Sequence, residues 1–440
     1  MKKTLLLLWL CLSAKNITAQ GTEKFSRLDS ALTYLASNNR FMGSICLRDK
    51  DQIVFSKAYG FADVENNTKA TPKTKYKIGS ITKMFTSAII FQLVEEKKLA
   101  LDTKLSKFFP QVKNADKITI TNLLNHSSGI YNFTNDSTFI DFSRIPQTQE
   151  SMLKRIAAYA PDFAPGTKSD YSNSNYLILG YIIEKITKKS YPDNVAGRII
   201  KKAGLTDTKY YGPIMPANNE AFSYNMEGAK WSRQEEWQES VAYAAGALQS
   251  TPDDLTRFIR ALFEGKIITK NSLDQMTAIE NGFGKGIFAF PFNDKKFFGH
   301  TGGIEGFSSS LGYNKEDGAA FAMTVNAANY DTNKIAIMAL SAFYGKAFEF
   351  PEVKNISIDE KILRNYVGTY ATPTVPLKLT IAYEDGTLTA QATGQGAFPL
   401  EARSETEFIF DQAGIKITFG ENTMVLDQGG MKFDFKKETP

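Results

Sequence analysis

The sequence predicts a mixed α/β (α+β) fold: an antiparallel sheet flanked by helices, a mainly helical lobe, and then a small all-β barrel. Three observations point to it. Residues 43–48 and 52–59 read as the two strands of a hairpin and the apolar period becomes two beyond 297, whereas residues 95–280 read mainly helical. Strands at the two ends of such a segment pair into one sheet with helices packed on it. After Phe350, short alternating runs recur at a spacing of about 8–12 residues, the pattern of a small barrel or sandwich.

Residues 25–37 (FSRLDSALTYLAS) carry apolar side chains at helical spacing. Residues 43–48 and 52–59 predict a hairpin that turns at Asp49, Lys50 and Asp51. From Ser80 the run SITKMFTSAIIFQLVEEKKL is apolar nearly all round at a helical period, which predicts a mostly buried helix. Pro110, Pro146, Pro161, Pro165, Gly166 and Pro252 punctuate the helical middle. Helices are predicted over 149–160, 174–187 and 252–264, the last opening with Pro and two acids. Residues 306–313 and 319–326 predict a second hairpin, and 333–345 return to helix. Residues 21–350 are thus read as one domain, 351–365 as a linker and 366–440 as the barrel, with strands LKLTIAY, TLTAQAT, EFIFD, IKITFG, TMVLD and KFDFK.

The chain has 440 residues, 42% hydrophobic and 22% charged, enough for a sizeable core. Residues 1–20 read as a secretion signal: Lys2 and Lys3, the apolar run Leu5–Leu12, and Ala19 beside a cleavage point near 19–21. That run is too short for a stable membrane span, and no later stretch reaches about 18 apolar residues. Export to the periplasm or the medium is expected. Without Lys2, Lys3 and Lys15 the net charge of +5 falls to about +2, which argues against a nucleic-acid partner. Beyond the leader only Cys46 remains, so no intrachain disulfide is expected. There are two histidines, His126 and His300, and no HExxH or Cys pair, so no metal and no cofactor are expected. G-x-S-x-G is absent as well. A hydrolase built from this chain has to activate its nucleophile with little help from histidine.

Ser80-Ile81-Thr82-Lys83 offers another way. At the first turn of a helix, three-residue spacing places Ser80 and Lys83 on one face. A buried lysine loses its proton more easily, and the helix N-terminus favours developing negative charge. By itself S-x-x-K is a weak signal; Ser151 and Lys154 form a second copy at what reads as an ordinary helix start. Two further motifs add specificity: Tyr171-Ser172-Asn173, 91 residues after Ser80, and His300-Thr301-Gly302, 220 residues after it.

Together these motifs resemble the serine β-lactamases and penicillin-binding D,D-peptidases, in their class C-like branch. The strings Leu123–Gly129 (LLNHSSG), Ala164-Pro165-Gly166 and Ala245–Leu248 (AGAL) are similar to that branch too, and the resemblance spans residues 25–347. It implies Ser80 as a nucleophile that forms an acyl-enzyme, with Lys83 and Tyr171 handling its proton; either is open as the acylation base. It implies Asn173, His300, Thr301 and Gly302 as substrate-binding residues, the last three on an edge strand to which an extended substrate adds. The backbone N–H groups of Ser80 and Gly303 would form an oxyanion hole, and glycines at 302 and 303 would permit close approach. His300 departs from the lysine usual in class C β-lactamases and offers no permanent charge to a substrate carboxylate. The implied activity is hydrolysis of D-amino-acid-containing peptides or related amides. A carboxylesterase and a penicillin-binding sensor without turnover are the alternatives, with a small peptide, amide, β-lactam or ester as partner. The barrel resembles the lipocalin-like domain of some relatives. His126 reads as structural. Trp231, Trp237, Phe283, Phe288, Phe290 and Phe292 are candidate cleft walls, although core packing is the commoner fate of such residues.

Overall fold

The computed structural model describes residues 24–438 apart from 228, 229, 354, 355, 357, 376 and 385. The leader expected over residues 1–20 lies outside the described residues. Helix α1 (Ser26–Ser37) leads into strands β1 (Phe41–Asp49) and β2 (Gln52–Tyr59). Helices α2 (Thr82–Glu95), α3 (Asn173–Thr187), α4 (Glu239–Gly246) and α5 (Pro252–Phe263) belong to the middle of the chain. The chain then returns through β3 (Phe288–Phe292), β4 (Lys295–Ile304), β5 (Phe307–Asn314) and β6 (Ala319–Ala328) to α6 (Thr332–Phe343).

The two ends meet in one antiparallel six-stranded sheet of order β3-β4-β5-β6-β1-β2. Ile45 on β1 stands opposite Met323 on β6, and Leu47 opposite Phe321. The alternation along β6 divides its side chains between two cores. Phe321, Met323 and Val325 pack with α1 and α6, whereas Ala320 and Ala322 belong to the larger core around α2. Sequence reading passed over β3, where Pro291 interrupts the apolar run FAFPF.

Helix α2 has no solvent face over most of its length: every residue from Thr82 to Leu93 is buried. This is the packing that its unbroken apolar character predicts. Phe85 on α2 stacks on Phe258 of α5 with ring centroids 3.8 Å apart. Helix α5 starts where its signals place it, with Pro252 in the first turn and the Thr251 side chain accepting the Asp254 N–H.

The segment read as a linker carries a short helix, α7 (Glu360–Tyr366), whose Leu363 is buried in the core of the barrel. Eight strands from Gly368–Ala371 to Met431–Lys437 close that barrel. Two of them were not legible in the sequence: the four-residue strand Gly368–Ala371, and Phe398–Ala402, where Pro399 masks the alternation. The first is the strand that pairs with the last and shuts the ring. Arg40 pairs with Glu401, and Lys334 lies 3.5 Å from Asp411, so ion pairs join the barrel to the sheet domain. No helix among the described residues is long and apolar enough to cross a membrane.

Truncating the stacked ring in the larger core should be costly. Phe85→Ala is expected to lower unfolding free energy by about 3–5 kcal/mol in urea titration, with no change in the barrel's own spectroscopic signal below the transition.

Candidate active site

Ser80 lies in a single 3₁₀ turn, Gly79–Ile81, that runs directly into α2, and Lys83 is the second residue of that helix. The expected first helical turn is therefore a tighter one. Gly79 makes it possible: its φ is +48°, and a Cβ there would come within 2.8–3.0 Å of the Gly303 backbone. Ser80 remains partly exposed while Lys83 is wholly buried.

The structure brings Ser80, Lys83, Tyr171 and Asn173 together. The Tyr171 hydroxyl donates to Ser80 Oγ at 2.7 Å, and Lys83 Nζ lies 3.0 Å from the same oxygen. Nζ also donates to Asn173 Oδ1 and to the Ala245 carbonyl, each at 2.8 Å. Burial holds the Lys83 amine well below the usual lysine range and pushes the Tyr171 phenol up, so both groups favour their uncharged forms. A neutral amine has two N–H groups and one lone pair. The two oxygens that can only accept take the N–H groups, and the lone pair is left facing the Ser80 hydroxyl. Such an arrangement can remove a proton from serine while a phenol donates to the same oxygen.

Beyond this quartet, β4 supplies the remaining expected residues. Gly302 packs so tightly that a Cβ would stand 2.1 Å from the Ile78 carbonyl oxygen; at Gly303 a Cβ would meet nothing within 4 Å. The close-approach argument thus holds for Gly302 alone. Strand β4 is not the sheet edge that was expected, because β3 covers it from Lys295 to Gly299. Its second half, from His300 to Ile304, extends past the end of β3, and Thr301 and Gly303 are exposed there.

His300 points into protein rather than solvent. It is 3% exposed, with Phe288 at 4.7 Å and Tyr171 at 6.4 Å between ring centroids, and Nδ1 bonds the Thr301 carbonyl. Burial, and then the nearby Lys83, pull its pKa down to about 3. His126 is tied to the cleft after all. Its ring packs 4.5 Å from Tyr171, and its Nδ1 accepts the Ser172 N–H at 3.1 Å. It too is held well below the usual imidazole range, first by burial. Its φ of +59° turns LLNHSSG back beneath Tyr171, and no periodicity in the sequence signals this.

Other contributors carry no side-chain signal. The Ala245 carbonyl reaches Lys83 because α4 is kinked at Tyr243 (φ 36°, ψ −130°), and the same kink aims the Ala244 carbonyl at Thr86 Oγ1, 2.7 Å away. Asn173 is fixed from behind: Asn132 Oδ1 accepts its N–H at 3.0 Å, and its Nδ2 donates to Thr134 at 3.2 Å. Among the proposed walls, Phe283 packs on His126 and Phe288 on His300, while Phe292 is buried in the α1–α6 core. Phe290 stacks on Phe297. Trp237 packs edge-on against Phe139, and Trp231 lies in the ladder Tyr224–Glu227/Lys230–Arg233. Ser151 belongs to a helix capping box with Thr148. Among the described residues no group of three or more His, Cys, Asp or Glu is placed to hold a metal ion.

Known proteins are similar to this chain in sequence and fold. The Beta-lactamase family pattern matches residues 32–341. The teichoic acid D-alanine hydrolase of Staphylococcus aureus is 29% identical over 257 residues, 58% of this chain and 62% of its own length. The chain therefore matches less than two-thirds of that relative. The D-stereospecific amidohydrolase from Streptomyces sp. superimposes with a TM-score of 0.64 at 28% identity, covering 73% of this chain and 99% of its own. The octameric penicillin-binding protein homologue from Pyrococcus abyssi covers 92% of this chain and 99% of its own, with a TM-score of 0.65 at 25% identity.

The two buried imidazoles make stability depend on pH. Each binds a proton less readily folded than unfolded, so the unfolded chain gains protons first on acidification. Their contribution is complete above about pH 6.5 and is lost as pH falls toward about 3 for His300. His300→Gln, neutral throughout, should flatten the slope of unfolding free energy against pH between 6.5 and 4, as measured by urea titrations across that window.

Proposed function

The chain belongs to the beta-lactamase family, and we propose that it is a secreted serine hydrolase that cleaves peptides or amides of D-amino acids through an acyl-enzyme at Ser80. One observation carries this reading: Ser80 Oγ lies between a buried amine at 3.0 Å and a phenol at 2.7 Å. Lys83 is the base in this proposal. Its lone pair takes the Ser80 proton as Oγ attacks the substrate carbonyl carbon. The oxyanion is received by the backbone N–H groups of Ser80 and Gly303. Tyr171 then gives its proton to the departing nitrogen as the C–N bond breaks, and the Lys83 ammonium restores the phenol. Water attacks the ester by the reverse route and releases Ser80. Asn173 holds Lys83 and the substrate amide, and Thr301, Gly302 and the backbone of His300 receive the extended chain.

The substrate class rests on two supports. One is the D-stereospecific amidohydrolase, 28% identical. The other is His300, which is buried with its pKa pulled down to about 3. A neutral imidazole places no fixed cation where a lysine would meet a substrate carboxylate. This favours amides and esters over β-lactams, so a carboxylesterase of the same mechanism is the second reading.

Ser80→Ala should lower turnover by at least about a thousand-fold and abolish covalent labelling by a fluorescent penicillin or a fluorophosphonate; undiminished turnover rejects the proposal. Rates on a D-amino-acid amide, its L-isomer, a nitrophenyl ester and nitrocefin separate amidase, esterase and β-lactamase. Stoichiometric labelling with no turnover on any of them selects the sensor. Tyr171→Phe should cost about 10²–10⁴-fold on the amide and distinctly less on the nitrophenyl ester, whose leaving group needs no proton.

A further inference from the structure

A buried ion pair joins the two chain segments that carry Ser80 and Gly303. Lys77 precedes Ser80 by three residues, and Glu305 follows Gly303 by two. Lys77 Nζ donates to Glu305 Oε1 at 2.7 Å, and both side chains are 1% exposed. The ammonium also lies 4.3 Å from the centre of the Tyr211 ring and 3.1 Å from the partly exposed Glu236. Glu305 Oε1 accepts the Trp237 N–H at 2.7 Å as well, and Oε2 has no hydrogen-bond partner among the described residues.

Backbone geometry at Glu305 is unfavourable for its residue type. Ile304 pairs with Phe307, so Glu305 and Gly306 form a two-residue hairpin loop. Glu305 has φ +54°, whereas Gly306 is not left-handed. A left-handed first loop residue alone is the II′ pattern, whose usual occupant there is glycine. A strained residue persists only where its surroundings hold it, and the Glu305 carboxylate is bonded here by both Lys77 and the Trp237 N–H. Stability explains the pair poorly, because a buried ion pair roughly breaks even against an apolar replacement. Geometry explains it better. The two chain segments already touch on one side, where Ser309 Oγ donates to the Ile78 carbonyl at 2.9 Å and Gly302 packs on that same carbonyl. The ion pair ties the same two segments a second time, through Lys77 and Glu305.

We propose that Lys77 and Glu305 are positioning residues that fix the separation of the Ser80 and Gly303 backbone N–H groups, and so the fit of the site to the transition-state oxyanion. This rests on the acyl-enzyme reading above. The pair touches neither substrate nor reacting atoms in this role; it acts through the two backbone segments.

The decisive variant is the double substitution Lys77→Met with Glu305→Gly. It removes both buried charges and gives the turn its preferred residue, at the cost of the Trp237 N–H bond to Glu305 and the Lys77 contact with Glu236, so it should fold with a lowered melting temperature. Removing an oxyanion donor outright costs about 10²–10³-fold; displacing one should lower kcat on a nitrophenyl ester by about 10–100-fold, with KM within about threefold. Both acylation and deacylation pass through an oxyanion, so kcat falls whichever step is slower. Lys77→Arg keeps the charge but lengthens the tether, and should fold while losing about tenfold in kcat. Wild-type kcat in either folded variant, or a loss carried by KM instead, overturns the proposal. If the double variant does not fold, Lys77→Arg decides alone by the same criteria. Ser80→Ala run alongside separates the two ideas: if it is inert, only the positioning role is at stake, and if it still turns over, the acyl-enzyme reading falls and takes the positioning role with it.

Discussion

The desolvation of one amine organises this molecule. Lys83 sits on the helix most completely enclosed by protein, where an ammonium has little water to solvate it and an amine needs fixed partners. Those partners come from separate parts of the chain: the Asn173 amide oxygen at the start of α3, a carbonyl released by the kink in α4, and the hydroxyl of Ser80 in the preceding turn. Each is held in turn by protein, Asn173 from Asn132 and Thr134, and the kink by packing around Tyr243. The apolar pattern that buries α2 is therefore also what tunes its lysine, so the core and the reaction centre cannot be separated into independent designs.

Much of this was readable from residue order. The strand-like runs at both ends of the first unit foretold a shared sheet, and the continuous apolar run from Ser80 foretold an enclosed helix. Motif spacing singled out Ser80, Lys83, Tyr171 and Asn173, which the structure gathers within hydrogen-bonding distance. What escaped was carried by backbone rather than by side-chain type. The Ala245 carbonyl has no residue signature, since any amino acid supplies a carbonyl. His126 looked unconnected because its link to Tyr171 depends on a left-handed φ and not on spacing. Strands containing Pro291 and Pro399 were passed over because proline interrupts the alternation that marks a strand, although each occupies a place where the ladder tolerates it.

Among the described residues, positive φ at types other than Gly and Asn occurs at Lys50, Lys97, His126, Lys188, Tyr243 and Glu305. Tyr243 and Glu305 both hold positive φ values that their residue types disfavour. Each sits two residues from a backbone group already described, the Ala245 carbonyl bonded to Lys83 in one case and the Gly303 N–H proposed to receive the oxyanion in the other. Conflict of this kind is expected where function, rather than folding, selects the conformation. Among the described residues of the barrel the one positive φ outside glycine is at Asn422, a type that tolerates it; the inward side chains alternate with outward ones and the ring is closed.

The short cover that β3 lays over β4 has a bearing on solution behaviour. Long uncovered strands are templates on which proteins polymerise. On β4 itself the stub from His300 to Ile304 is left open, and an extended chain aligned with it finds room for about two or three ladder bonds. A stub of that length can grip a small extended guest, yet it offers a second copy of the chain only a short ladder at this place.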